Sequence, residues 1–274
     1  MQVALSDGVS LFVHEVGEGF PVIVLHGGPG LDHTHMSPWL DPLADGLRLL
    51  YVDERGQGRS DRVDPASLSL DSFANDVDLL ADALGLDGFA LLGHSFGAIV
   101  ATRHAIEHGT AAGYVISGGG DSSDRLLADV EASLAAMGDA GEAIADSWEQ
   151  EKTVETDDEL RRLIDTQMPF HFHGDAPAGF SNGMVGSPEV LRHFANEGYG
   201  NFDFGPQLDR VSKPTLVIVG EHDRTTTPRA ARVLHEGIAG SEFAVVPEAG
   251  HMSFVEQPEA YLGPVKRFLG RLAA

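Results

Sequence analysis

The amino-acid sequence predicts an α/β fold, a mostly parallel, doubly wound sheet carrying an inserted helical cap, and three observations predict it. Six short β-rich runs recur along the 274 residues, amphipathic helical patterns separate them, and one long helical stretch interrupts the alternation. The runs are PVIVLHG (21–27), LRLLYVD (47–53), FALLGHS (89–95), GYVISGG (113–119), TLVIVGE (215–221) and EFAVVPE (242–248). They are continuously apolar, the pattern expected of strands covered on both faces.

Between the runs, SLDSFANDVDLLADALGL gives the clearest helix: Phe73, Val77, Leu80 and Leu84 recur on one face, while Asp71, Asp76, Asp78 and Asp82 are expected to point away. Strands alternating with helices in this way read as a parallel sheet. From about Asp121 to Pro206 the strand signal vanishes. Segments such as RLLADVEASLAAM and SPEVLRHFANE follow one another there, the latter with Ser187 placed as N-cap and Pro188 at the first helical position. An insertion of roughly 85 residues is too long for an idle loop, so residues 121–206 are expected to form a helical cap, and 1–120 with 207–274 the core domain.

Composition narrows the partners. Forty-two acidic residues against eighteen lysines and arginines leave a formal net charge of −24, a field that repels nucleic-acid phosphates and anionic lipid. No nucleic acid and no membrane partner is expected; oligomeric state is not legible. No cysteine is present, which removes disulfides, thiolate metal sites and a cysteine nucleophile together. The opening MQVALSDGVS has neither a basic start nor a long apolar stretch, so a soluble, cytoplasmic protein without a signal peptide is expected.

The chemistry centres on LLGHSFGA. A strand followed by Gly93, His94, Ser95, Phe96, Gly97 and then a helix is a G-x-S-x-G nucleophile elbow, in which the turn is so tight that positions two before and two after the serine must lack side chains. It lifts the Ser95 hydroxyl clear of the sheet, at a helix N-terminus whose free N–H groups favour developing negative charge. A serine needs a base, and the base needs an orienting acid. Asp223, just past the run at 215–221, and His251, after the run at 242–248, follow in the chain order this architecture uses. Acyl transfer also needs oxyanion donors: the Phe96 N–H, immediately after the nucleophile, and one from HGGPG, with Gly28 assigned and Gly27 as its substitute. Pro29 is expected to restrict Gly28 toward extended conformations.

Taken together, HGGPG (26–30), DERGQGRS (53–60), GHSFGA (93–98), GEHD (220–223) and GH (250–251) resemble the α/β-hydrolase superfamily, and most its proline iminopeptidase branch. The resemblance implies the α/β-hydrolase fold, a triad of Ser95, Asp223 and His251, an oxyanion loop at HGGPG and a buttressing role for Asp53, Arg55 and Ser60. Two departures stand out. Arg224 occupies the position where that branch carries a glutamate that binds the substrate's α-ammonium, and Ala98 replaces a frequent glycine. Glu189, Glu197, Asp175 and Asp203 of the cap are the acids available to substitute.

Arg224, His26 and His94 are candidates for substrate contact. His171 and His173 of HFH are expected to share one face of a strand, and His33 and His35 to line the pocket mouth; no metal site is expected from either pair. The aromatics Phe170, Phe172, Phe180, Phe194, Tyr199, Phe202 and Phe204 read as the cap's own small core. The leading expectation is a cofactor-independent serine hydrolase acting on a small molecule or short peptide through an acyl-enzyme, resembling proline iminopeptidase. A carboxylesterase or lactonase is the alternative, and a non-catalytic binding protein the remote one. A serine nucleophile disfavours routes through an alkyl-enzyme ester.

Overall fold

The computed structural model describes residues 1–274. Eight strands form one sheet: β1 (Gln2–Ala4), β2 (Ser10–Val16), β3 (Phe20–Leu25), β4 (Leu47–Asp53), β5 (Ala90–His94), β6 (Gly113–Ser117), β7 (Thr215–Gly220) and β8 (Glu242–Val246). Their spatial order is β1-β2-β4-β3-β5-β6-β7-β8; β1 and β2 are antiparallel and every strand from β4 onward in that order is parallel to its neighbour. The expected α/β-hydrolase architecture is therefore the observed one, and all six predicted runs are strands.

Period-two alternation sorts each central strand between two cores. Ile23, Leu25, Leu91, Ile116 and Val217 face the layer of α1 (Leu70–Ala83), α2 (Phe96–Glu107) and α7 (Pro228–Gly237), where they meet Phe73, Val77, Ile99 and Leu234. Val22, Val24, Leu92, Val115 and Ile218 face the layer of α9 (Pro258–Leu272), where Tyr261, Val265 and Phe268 are buried. Each such fully buried side chain contributes about 1.5–3 kcal/mol by leaving water.

Several expectations are corrected. The strands β1 and β2 were not read: SLFVHEV alternates buried and exposed, the signature of an antiparallel edge rather than of a continuously apolar run. The last strand, β8, is half exposed, because it closes the other edge. On α1, Asp76 does not point away; it is buried and bonded by Arg55, whose Nε donates at 2.8 Å. His171 and His173 lie on no strand, since His171 is the last residue of a helix.

Between β6 and β7 run α3 (Ser123–Ala136), α4 (Asp139–Glu151), α5 (Asp157–His171) and α6 (Pro188–Asn196). The two ends of this segment close on each other: Ser123 N donates to Phe202 O at 2.9 Å and Phe204 N to Asp121 O at 2.7 Å. Its aromatics do not form a separate core. Phe194, Phe202 and Phe204 join the α1/α2 layer, Phe172 joins the α9 layer, and Phe170 meets Trp148 edge-on. Ser187 takes the N-cap position of α6 but does not cap it; its hydroxyl accepts from Gly58 N instead, at 3.1 Å.

Candidate active site

Strand β3 lies between β4 and β5, so the connection from β3 to β4 runs one way along the sheet and that from β4 to β5 runs back the other, the switch point at whose carboxyl ends open α/β sheets bind ligands. The loops after β3, β5, β6, β7 and β8 meet there. Strand register sets the first two side by side, with Leu25 opposite Gly93. A Cβ on Gly93 would overlap the Gly97 carbonyl, and one on Gly97 would press on the carbonyls of Leu25 and His26, so the turn admits glycine alone at both positions. Between them Ser95 is held at φ 56°, ψ −117°, a conformation that costs a residue with a side chain strain. Two main-chain bonds fix it: Ser95 N donates to Ser117 O at 2.9 Å and Gly97 N to His26 O at 3.0 Å.

The structure brings Asp223 and His251 together. His251 Nδ1 donates to Asp223 Oδ2 at 2.8 Å, which leaves the ring's lone pair on Nε2. Both residues are 3% exposed, so this pair is desolvated. Asp223 is itself oriented by residues that the sequence reading missed: Thr225 N and Thr226 N donate to Oδ1 at 2.8 and 2.9 Å, and the Thr226 hydroxyl donates to Oδ2 at 2.9 Å. An aspartate followed two and three residues later by threonine is an Asx-type turn signal that could have found them. Ser95 and His251 both meet the segment after β6, for a Cβ on Gly118 would stand 3.1 Å from His251 Cε1 while Ser117 O binds Ser95 N. The Ser95 hydroxyl, partly exposed, has no hydrogen-bond partner in the protein.

Gly28 and Phe96 each present a main-chain N–H without a partner. Gly27 does not: its N–H donates to His35 Nε2 at 3.2 Å, so it is spent on holding the loop. Gly27 nonetheless packs on Ser95, a Cβ there falling 3.1 Å from Ser95 Cβ. Gly28 is not extended as expected from Pro29. It sits at φ 132°, a region open to glycine, before a cis Gly28–Pro29 peptide.

The three candidate substrate contacts are placed elsewhere. His26 is fully buried, its Nδ1 donating to Gly27 O at 2.7 Å and its Nε2 accepting from Glu54 N at 3.2 Å. His94 is fully buried beneath the catalytic-edge imidazole, 4.7 Å from the His251 ring, and burial holds its pKa well below the ordinary histidine value. Arg224 pairs with no acid: its guanidinium donates to Pro169 O at 3.2 Å and Phe172 O at 3.1 Å, at the C-terminus of α5. His33 and His35 are likewise buried, not at a mouth; His33 bonds Asp53 at 2.6 Å.

His171 also lies against the pair of Asp223 and His251. His171 lies 5.5 Å from the His251 ring, its Nδ1 bonds Thr225 Oγ1 at 3.0 Å, and its carbonyl accepts from His251 N and Met252 N. Burial pushes its pKa down to about 3, so it is neutral at ordinary pH. Behind the HGGPG loop, every buried polar side-chain atom that lacks a partner is found on one of four residues: His35, Glu54, Gln57 and His94. Burial pushes the Glu54 carboxyl up to about 7. The DERGQGRS turn is a buttress: Asp53 accepts from His33 N and Arg59 N, Arg55 pairs with Asp76 and Asp7, and Ser60 donates to Asp53 O.

A family model described as alpha/beta hydrolase fold matches residues 21–258. A proline iminopeptidase of Saccharolobus solfataricus is 25% identical over 93% of this chain and 86% of its own length. A pimeloyl-acyl-carrier-protein methyl ester esterase of Legionella pneumophila is 26% identical over 95% of this chain and 100% of its own. Among solved structures, a proline iminopeptidase-related protein of Thermus thermophilus superposes with a TM-score of 0.76 at 28% identity, covering 100% of this chain and 97% of its own. No helix here is long and apolar enough to cross a membrane.

Proposed function

Because the chain belongs to the α/β-hydrolase family, we propose that it is a serine hydrolase that cleaves the ester bond of a small substrate through an acyl-enzyme. One observation carries this reading: Ser95 is held strained with no partner for its hydroxyl, and the Phe96 and Gly28 N–H groups, on its own turn and on the adjoining loop, have no protein acceptor, a donor set that suits the transient binding of an oxyanion. His251 Nε2 takes the Ser95 proton as Oγ attacks the carbonyl carbon. That hydrogen bond forms when substrate is seated. Asp223 compensates the imidazolium, the two N–H groups hold the oxyanion, and His251 returns the proton to the leaving alcohol. Water activated by the same imidazole then releases the acyl group.

The helical segment 121–206 is the cap of this site. It bears on both halves of the chemistry: the α5 carbonyl of His171 holds the His251 loop, and Ser187 N donates to Gly30 O at 2.8 Å.

A second reading, removal of an N-terminal proline, draws support from the proline iminopeptidase likeness. The placement of the acids favours the ester. Arg224 stands next to Asp223 in place of an acid, Glu189 pairs with Arg62 at 3.2 Å, and Glu197, Asp175 and Asp203 lie exposed. The one buried acid of α4, Glu151, is already engaged by Gln167 and Tyr199, and burial raises its carboxyl to about 7. A substrate ammonium therefore has no free buried carboxylate among these to meet. Purified protein is expected to turn over p-nitrophenyl acetate and to leave proline p-nitroanilide intact; comparable turnover of the anilide would replace the ester reading with the aminopeptidase one, and turnover of neither would remove both.

A further inference from the structure

At the far end of α2 from Ser95, we propose that Asp78, His104 and His108 bind one divalent transition-metal ion of the zinc class, an ion that would staple α1 to α2. His104 and His108 are four residues apart on α2, so their rings project from one helix face, parallel within 4° and 5.1 Å apart. Asp78 reaches across from α1 to both: Oδ1 lies 3.1 Å from His104 Nε2 and Oδ2 lies 2.6 Å from His108 Nδ1. One ligand atom from each residue lies within 4.8 Å of the others. Ligand atoms on a tetrahedral zinc are roughly 3.4 Å apart, so the three close on an ion with small side-chain rotations.

Three features favour a cation at this point. Two imidazoles and one carboxylate are a donor set that suits zinc, cobalt or nickel rather than calcium or magnesium. The site is at the C-terminus of α2, where the helix dipole presents negative charge, and no Lys or Arg pairs with Asp78. His104 is also supported from behind, since its Nδ1 lies 2.9 Å from the Tyr114 hydroxyl. When an ion takes Nε2, the ring proton resides on Nδ1 and donates to that oxygen, which fixes the tautomer as ligating histidines require. With an ion on His108 Nδ1, that ring carries its proton on the outward nitrogen.

Access is provided for as well. His104 is fully buried, whereas the Asp78 and His108 side chains are each about 25% exposed and leave one side open to solvent. Of the other clusters with suitable atoms, Asp32, His33 and Asp53 are closed by Arg59, and His173, His222 and Glu248 lie at the surface, 3.9 Å ring to ring for the two histidines. That surface cluster provides the control.

The test is titration of the metal-free full chain with Zn²⁺ against a chromophoric chelator, with Co²⁺ absorption as a second readout and thermal unfolding as a third. One ion is expected to bind with micromolar or tighter affinity and to raise Tm by about 5 °C at a hundredfold excess over Kd. His108→Ala and Asp78→Asn are each expected to weaken binding at least tenfold and to abolish the Tm rise, with His173→Ala leaving both unchanged. His108→Ala keeps His104 in place and so keeps the fold. Binding that survives in His108→Ala, binding lost in His173→Ala, or no binding to the wild type below about 100 µM would each overturn the proposal.

Discussion

The two ends of helix α2 are built on opposite principles. They stand about 18 Å apart, twelve residues at 1.5 Å rise. At the N-terminal end bonding capacity is left open: the Phe96 N–H is unpartnered, His94 Nε2 is unpartnered, and Ser95 is held strained without a partner for its hydroxyl. At the C-terminal end the polar groups already have partners, with one side of the cluster left to solvent. The N–H groups of His108 and Gly109 both return to His104 O, and Asp78 gathers His104, His108 and the Thr110 hydroxyl. A site that binds a transient charge must keep donors free until that charge arises, whereas a staple gains by satisfying every group in the ground state. On the proposed reading, one helix offers its positive end to an oxyanion and its negative end to fixed partners.

The sharpest way to break this contrast is a crossed pair of substitutions. Ser95→Ala is expected to lower kcat for an ester by at least about 10³-fold, because the nucleophile acts as one unit with its base. Its urea midpoint should stay near the wild-type value, since Ser95 Oγ bonds nothing. His108→Ala should do the reverse, leaving kcat within about twofold and lowering stability by about 1–2 kcal/mol through the lost bond to Asp78. A stability loss in the first variant equal to that in the second would mean that the two ends do not differ in kind.

How much of this was written in the sequence follows from the range of the interactions. The fold was legible because continuous apolar runs and amphipathic helices are local patterns, and LRLLYVD coincides with β4 from end to end. Ser95, Asp223 and His251 could be singled out because each follows a strand, and the structure pairs the last two. The edge strands β1 and β2 were not, since alternation over seven residues competes poorly with six stronger runs. Asp76 was misread because periodicity reports a helix face and cannot report Arg55, 21 residues away, which makes burial of a carboxylate tolerable. Arg224 was misread in the same way: a guanidinium five donors wide is as well satisfied by two carbonyls at a helix end as by a carboxylate. The spacing of His104 and His108 was visible, but its meaning depends on Asp78, brought near only by the packing of α1 on α2.

The open end of α2 continues into Glu54, and pH sharpens the comparison there. His26 O accepts from Gly97 N and His26 Nε2 accepts from Glu54 N, so the unpartnered Glu54 carboxyl lies directly behind the HGGPG loop. Burial raises its pKa from 4.5 to about 7. The folded state therefore holds this proton more tightly than the unfolded chain, and the resulting stability is present below about pH 4.5 and lost as pH rises through 7. Glu54→Gln, which carries no proton to lose, should gain about 2–3 kcal/mol on the wild type between pH 4.5 and 8 in urea unfolding. Asp78 behaves in the opposite sense: lowered to about 2, it strengthens the fold as pH rises from 2 toward 4, outside that window. A pH-independent difference between Glu54→Gln and wild type would show that Glu54 is ionised throughout and has found partners of its own.

The smallest expected effect bears on how the cap is joined to the open end. Arg224 donates to the carbonyls of Pro169 and Phe172, and the neighbouring carbonyl of His171 receives His251 N at 2.8 Å. The guanidinium thus holds the end of α5 that in turn holds the His251 loop. Because the side chain is partly exposed and water can replace it, Arg224→Ala should lower stability by only about 1 kcal/mol and kcat by less than tenfold. If the role is anchoring, esters of neutral and of carboxylate-bearing acids must lose the same factor, since no substrate atom meets the guanidinium. A selective loss for the anionic ester, expressed in KM rather than kcat, would instead place Arg224 in the substrate pocket and join it to the open end of α2.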